Sequence, residues 1–256
     1  MVYFIENFRN NLNFFLRNLL NFSRKNYKEN PERPDKQSLS ENQTELISSL
    51  EQRYGSLSGN YSNRIFLENI YFLNVFDKYF SKNKAEKISV LDIGSKNWSY
   101  AESEYLYFGS FTNNLTLKGI ELDAYRLSVN LYSRYEIAKF YTEGMKNTSY
   151  IPGDFMKHED KYDYMVWILP FITEYPLLRW GLPLKYFMPE KMLMHAYNHL
   201  NPGGELLIIN QGENEFLIQK ELYRKLNIQN VCDFGEIEDS FGLFRNKRYC
   251  SKIVKQ

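Results

Sequence analysis

Cysteine and histidine are scarce, and neither sign of charge is in excess. The two cysteines, Cys232 and Cys250, stand outside any CxxC or Cys/His spacing, so the 256-residue chain shows neither a zinc framework nor a disulfide scaffold. Lys and Arg number 32 against 31 Asp and Glu, a formal charge of +1. That balance supplies no field to concentrate nucleic acid by counterion release. The longest continuous apolar run, Met165 to Ile172, is interrupted by a proline and falls well short of the ~20 residues a membrane-spanning helix requires. The opening MVYFIENFRNN has no basic start, apolar stretch or small-residue cleavage site, so no secretory signal is read there. The expectation is a protein of the reducing cytoplasm.

What is present is ordinary globular composition, 43% hydrophobic and 25% charged, enough to build a core without staples. Over residues 3–22, Phe4, Phe8, Leu12, Phe15, Leu19 and Phe22 share one helical stripe, and Glu6, Asn10, Asn13, Arg17, Asn21 and Arg24 the opposite one. Few of these residues are charged, whereas interfacial helices carry a cationic face. The stripe is therefore expected to dock on the chain's own body or on a second subunit, with a membrane-surface anchor as the alternative. The expected organisation is an amphipathic helix over 1–27, a Pro-containing linker over 28–43, a helical extension or lid over 44–87, and a core over 88–256.

From residue 88 short β-rich runs alternate with helical segments. Strands are expected at 88–93, 117–121, 149–151, 162–169, 205–210, 229–236 and 249–254, with helices near 99–108, 124–140, 188–200 and 214–226. This alternation predicts an α/β doubly wound fold on a seven-stranded, mostly parallel sheet. In such sheets ligands bind beyond the carboxyl ends of the strands.

Three strand ends carry suitable chemistry. The first runs Leu91-Asp92-Ile93-Gly94-Ser95-Lys96-Asn97-Trp98 into Ser99-Tyr100-Ala101-Glu102, which has capping-box spacing. The second ends in Glu121-Leu122-Asp123, where a carboxylate can accept ribose hydroxyls or cap the next helix. The third ends in Pro152-Gly153-Asp154-Phe155, an acid and an aromatic suited to adenine. A nicotinamide site needs G-x-G-x-x-G, but positions 94, 96 and 99 read Gly, Lys and Ser.

In order and spacing, VLDIGSKNWSYA, LKGIELDAYR, YIPGDF, YDYMVWILPF and HLNPGGELLIIN resemble the successive motifs of class I S-adenosylmethionine-dependent methyltransferases over residues 88–256. The resemblance implies S-adenosylmethionine as cofactor. Asp92, Gly94, Ser95 and Asn97 would hold the methionine part, Glu121 the ribose, and Asp154 with Phe155 the adenine. Asn201-Pro202-Gly203-Gly204-Glu205 would be the structural turn into the fifth strand. The sequence departs from the family where Lys96 and Trp98 replace later glycines of the first motif.

Trp167-Ile168-Leu169-Pro170-Phe171 lacks the Asp or Asn with which base-methylating enzymes hold a target amine, so a small-molecule or peptide acceptor is expected. Gln211, Glu213 and Glu174 are the candidate catalytic polar groups, with helix capping as their structural alternative. Arg179-Trp180-Gly181-Leu182-Pro183 offers a substrate wall or lid. His195 and His199, four apart, lack the glutamate of a zinc-hydrolase motif, and no metal site is expected. No Ser-His-Asp or Cys-His arrangement can be assembled. The alternative reading is a methyltransferase-like scaffold that has lost catalysis.

Overall fold

The computed structural model describes residues 2–21, 27–29, 39–58 and 61–256. Seven strands form one sheet: β1 (Ile88–Ile93), β2 (Leu115–Glu121), β3 (Thr148–Pro152), β4 (Tyr162–Ile168), β5 (Leu200–Gln211), β6 (Val231–Ile237) and β7 (Arg248–Val254). Their order is β3-β2-β1-β4-β5-β7-β6. The first five are mutually parallel, and β7 runs antiparallel to both β5 and β6. The order reverses between β1 and β4, which opens a crevice beyond their carboxyl ends.

The central strands β1, β4 and β5 form because their side chains are buried on both faces, as apolar runs in a covered sheet must be, while the edge strands β3 and β6 are largely half-buried or exposed. Val90, Leu117, Val166, Leu207 and Ile209 pack with α3 (Asn63–Tyr79) and α4 (Ala101–Gly109) on one face. Leu91, Ile93, Met165, Leu206 and Ile208 pack with α7 (Pro189–Asn198) and α8 (Gly212–Lys225) on the other. α3 thus belongs to the same core as the sheet. The segment 201–205, expected as a turn into the fifth strand, already belongs to β5, at an irregularity in its pairing with β4. Gly204 is needed there because a Cβ would lie 2.8 Å from the Asn201 carbonyl and 2.9 Å from that of Asp163.

Several expectations change. The helix expected over 124–140 is confined to α5 (Arg134–Tyr141), because Ser133 and Glu136 form a capping box that starts it there. The capping box expected at Ser99 and Glu102 is not made. α4 begins after Tyr100, Ser99 Oγ donates to Glu68, and Glu102 instead accepts from the Ser58 amide. The connection after β4 holds a short helix, α6 (Glu174–Arg179), and a 3-10 turn at Leu184–Tyr186. Of the expected linker, residues 30–38 lie outside the described residues, and 41–43 already belong to α2 (Glu41–Tyr54). Phe22 and Arg24 of the amphipathic pattern also lie outside them.

The largest correction concerns α1 (Val2–Leu20). It docks by its polar side: Asn10 donates to the Leu178 and Leu182 carbonyls, and Asn7 accepts from the Leu184 amide. Its apolar stripe faces outward, with Phe4 77%, Phe8 67%, Phe15 61% and Leu19 64% exposed. The docked side also buries Phe14 against Leu177, Leu182 and Tyr186, and Asn10 adds its donors to the Leu182 carbonyl and to a Leu178 carbonyl that the Gly181 amide already reaches. No described helix is long and apolar enough to cross a membrane.

Candidate functional site

The turn after β1 keeps the backbone shape of a glycine-rich loop without its glycines. Gly94 has φ 72°, Lys96 φ 56° and Trp98 φ 48°, so alternate residues occupy the left-handed region, at a cost of roughly 1–2 kcal/mol for each side-chain-bearing residue. Gly94 and Ser95 amides donate to the Ile120 carbonyl, and the Lys96 amide donates to Glu121 Oε2 at 2.9 Å. A Cβ on Gly94 would meet nothing within 4 Å, so its outer side is open to a ligand.

The two intruding side chains go different ways. Trp98 is fully buried and its ring lies against Gly119, where a Cβ would come within 2.9 Å of it. Its Nε1 donates to Glu104 Oε2 at 3.0 Å. The indole is absorbed by the core and does not fill the crevice. Lys96 is exposed along its stem, but its ammonium end is covered, with Nζ 5.5 Å from the centre of the Trp180 ring. Desolvation of its ammonium lowers the Lys96 pKa, opposed by Glu68 and reinforced by Arg134.

Beneath the loop lie two wholly buried carboxyls. Asp92 and Glu104 are both 0% exposed, and desolvation pushes Asp92 up to about 7. Glu104 is held well above its ordinary range by desolvation and then by Asp92. The pair therefore carries at least one proton near neutrality. The expectation that Asp92 faces the methionine part of a cofactor is corrected here. Its carboxyl shares the face of Val90, beside Glu104, Trp98 and Tyr100.

At the tip of β2, Glu121 holds three donors, two on Oε1 and one on Oε2. It accepts from the Lys96 and Asp123 amides and pairs with the Arg134 guanidinium at 3.0 Å. Trp180 lies over this pair, its ring centre 5.0 Å from Arg134 and 5.8 Å from Arg126. Arg17 of α1 donates twice to buried Asp123 at 2.9 Å and also to the Gly181 carbonyl. Motif reading misses Arg134 and Arg17 as site residues because each acts across the fold, whereas Trp180 belongs to the segment read as a wall or lid.

Beside Glu121 is a cleft of about 230 Å³ lined by Phe14 and Asn18 of α1, Leu122, Tyr125, Asp154 and Tyr186, with Pro152 and Gly153 behind. The tips of β2 and β3 and the inner side of α1 therefore bound one space large enough for a purine ring. Asp154 Oδ1 accepts from the Met156 amide. Phe155 is not at this cleft. It is buried with Leu91 and Ile93, edge-on to His195 at 4.8 Å, because it points to the other sheet face. Ser95 Oγ is buried without a partner among the described residues, and Asn97 is half-buried. A larger hollow of about 330 Å³ lies at Leu115 and Asn147, away from these groups.

Gln211 ends β5, half-buried, and its amide donates to Glu215. Glu213 and Glu174 lie in the first turns of α8 and α6, and both are less buried than the groups around Gly94. A further acid stands at the loop itself: Glu68 of α3 accepts from Ser99 Oγ at 3.2 Å. Burial raises its pKa, opposed by Lys96 and Ser99. A charged residue inside the mostly apolar run Ile65-Phe66-Leu67-Glu68-Asn69-Ile70 is its only signal in the sequence. His195 and His199 direct ring nitrogens to the carbonyls of His158 and His195.

No family model matches the sequence, and no curated protein matches it. Solved structures do. The CurJ carbon methyltransferase is 11% identical over 82% of this chain and 58% of its own, with a TM-score of 0.50. A SAM dependent methyltransferase from Aquifex aeolicus is 13% identical over 81% and 96%, with a TM-score of 0.48. The plantazolicin methyltransferase BpumL, solved in complex with SAH, is 13% identical over 84% and 91%, with a TM-score of 0.47. At such identities the likeness is one of fold. The strand order, the antiparallel β7 and the overlap with the CurJ enzyme give this chain the fold of the class I S-adenosylmethionine-dependent methyltransferases.

Proposed function

We propose that the protein binds S-adenosylmethionine and transfers its methyl group to a small-molecule or peptide nucleophile. One observation supports the reading: β1, β2 and β3 are adjacent parallel strands whose carboxyl ends carry Gly94, Glu121 and Asp154, and at the last two ends Leu122 and Asp154 line a purine-sized cleft. The residues fit the cofactor at its adenine end, where Leu122 supplies an apolar face and Asp154 an acceptor for an exocyclic amine. At the ribose, each Glu121 oxygen already has a donor, so the hydroxyls would share it with Arg134 or displace that guanidinium.

The bound cofactor supplies an electrophilic methyl group on a sulfonium centre. The chain's own residues align, exclude water and accept a proton. Trp180 and α1 cover the site. Glu68 is the base we assign, since a half-buried carboxylate of raised pKa beside the loop suits a nucleophile that must lose a proton. Gln211, Glu213 and Glu174 are acceptor-side contacts in this reading.

A second reading, a scaffold that keeps the fold without the chemistry, is favoured by the Arg134 ion pair on Glu121 and by Lys96 and Trp98 in place of glycines. Calorimetric titration with S-adenosylhomocysteine separates the two. The enzyme reading expects saturable binding, weakened at least tenfold by Asp154→Ala in a protein that stays folded, its stability lowered only by loss of the Met156 cap, by about 0.5–2 kcal/mol. Absence of heat at millimolar ligand supports the scaffold. If binding is present, Glu68→Gln should reduce methyl transfer to a found acceptor without weakening cofactor affinity.

A further inference from the structure

The outward face of α1 has the pattern of a pairing seam. Ile5, Phe8, Leu12, Phe15 and Leu19 follow one another at intervals of three, four, three and four residues, the a and d positions of two heptads. All five are exposed, between 51% and 67%. Asn10 and Arg17, which tie the helix to the body, occupy the position opposite that seam in successive heptads. The helix is therefore held by its back, with its seam presented.

The exposed apolar area, with flanking Phe4 and Leu16, is on the order of 1,000 Å² if each full side chain contributes about 200 Å². A patch on a typical monomer is about 300–600 Å². Two such faces brought together bury roughly 1,500–2,000 Å², the size of a standard stable interface. A lipid surface fits less well. Among the described residues of α1, Arg17 is paired with Asp123, which leaves Arg9 as the cation beside the seam, against Glu6, and interfacial helices carry a cationic face. Residues 30–38, outside the described residues, contain no large apolar side chain to lay over it.

We propose that the protein is a two-fold homodimer joined through α1, a self-complementary contact of one helix face with its own copy. Because Phe14 and Asn18 of the same helix line the purine-sized cleft, dimerisation fixes one wall of that cleft.

Light scattering of the full chain after gel filtration tests this. The wild type should have twice the monomer mass, and Phe8→Glu and Phe15→Glu should each have the monomer mass with unchanged circular dichroism. A second arm covers poor folding of those variants: Leu12→Cys, at the middle of the seam, should form a covalent dimer on oxidation, with the wild type, which carries exposed Cys232, as control. A monomeric wild type at the highest soluble concentration overturns the proposal. So does a monomer that floats with phosphatidylcholine and phosphatidylserine vesicles, which would assign the face to lipid. Failure of Leu12→Cys to cross-link beyond the control also overturns it.

Discussion

Replacing Asp92 with asparagine should change how stability depends on pH. The ordinary Asp value is 3.8 and burial carries Asp92 up to about 7. Below about pH 4 the carboxyl is protonated in both folded and unfolded chains, and its burial carries no ionisation penalty. Between about 4 and 7 the unfolded chain releases the proton while the folded chain keeps it, so stability falls as pH rises. At ~1.4 kcal/mol per pH unit, the full window amounts to about 4 kcal/mol, a large part of the roughly 5–15 kcal/mol that holds a domain together. An asparagine side chain in that place has the same shape, never ionises, and can donate to Glu104 while Trp98 Nε1 continues to do so. Urea unfolding of both proteins at about pH 5 and pH 7.5 isolates the effect. The stability of Asp92→Asn relative to wild type should rise by about 3 kcal/mol between those two pH values. A difference that stays constant with pH would show that the buried dyad does not hold its proton as described.

Gly119→Ala should destabilise the fold by about 1–3 kcal/mol in urea unfolding, since the new Cβ would lie 2.9 Å from the Trp98 ring and Ser95 Oγ. Arg17→Ala leaves buried Asp123 with Arg126 at 3.8 Å as its remaining cation among the described residues and should cost about 1–3 kcal/mol. Hydrogen exchange across residues 2–20 should accelerate in that variant while the sheet stays protected. Thiol labelling under native conditions should modify exposed Cys232 quickly and spare Cys250, which is buried with a raised pKa. Equal labelling of both would contradict the packing of β7.

The central strands are legible in the sequence because β1, β4 and β5 hold apolar runs whose burial on both faces leaves few alternatives, while the edge strand β6 shows itself only by its place in the alternation. The first-strand loop is legible only in part. Gly94 announces a turn, whereas the left-handed backbone at Lys96 and Trp98 is hidden behind residue types that rarely adopt it. Glu104 reads as an ordinary helix acid, and its juxtaposition with Asp92 depends on how α4 lies across β1. Arg134 is thirteen residues from Glu121 and meets it only because the segment after β2 folds back before α5 begins. α1 shows the limit of amphipathic reasoning: periodicity separates the two faces correctly but says nothing of which will dock. The docked side combines Phe14, buried with Leu177 and Leu182, with the Asn10 and Arg17 hydrogen bonds, and no local pattern encodes those distant partners.

The decisive experiment is a crystal structure of the protein with S-adenosylhomocysteine. The adenine should lie between Leu122 and Asp154, the ribose hydroxyls on Glu121 with Arg134 shifted or shared, and the amino-acid end over Gly94. A nucleoside lodged elsewhere, or a crevice that stays closed by Arg134 and Trp180 at saturating ligand, would refute the convergence of the three strand tips on one cofactor.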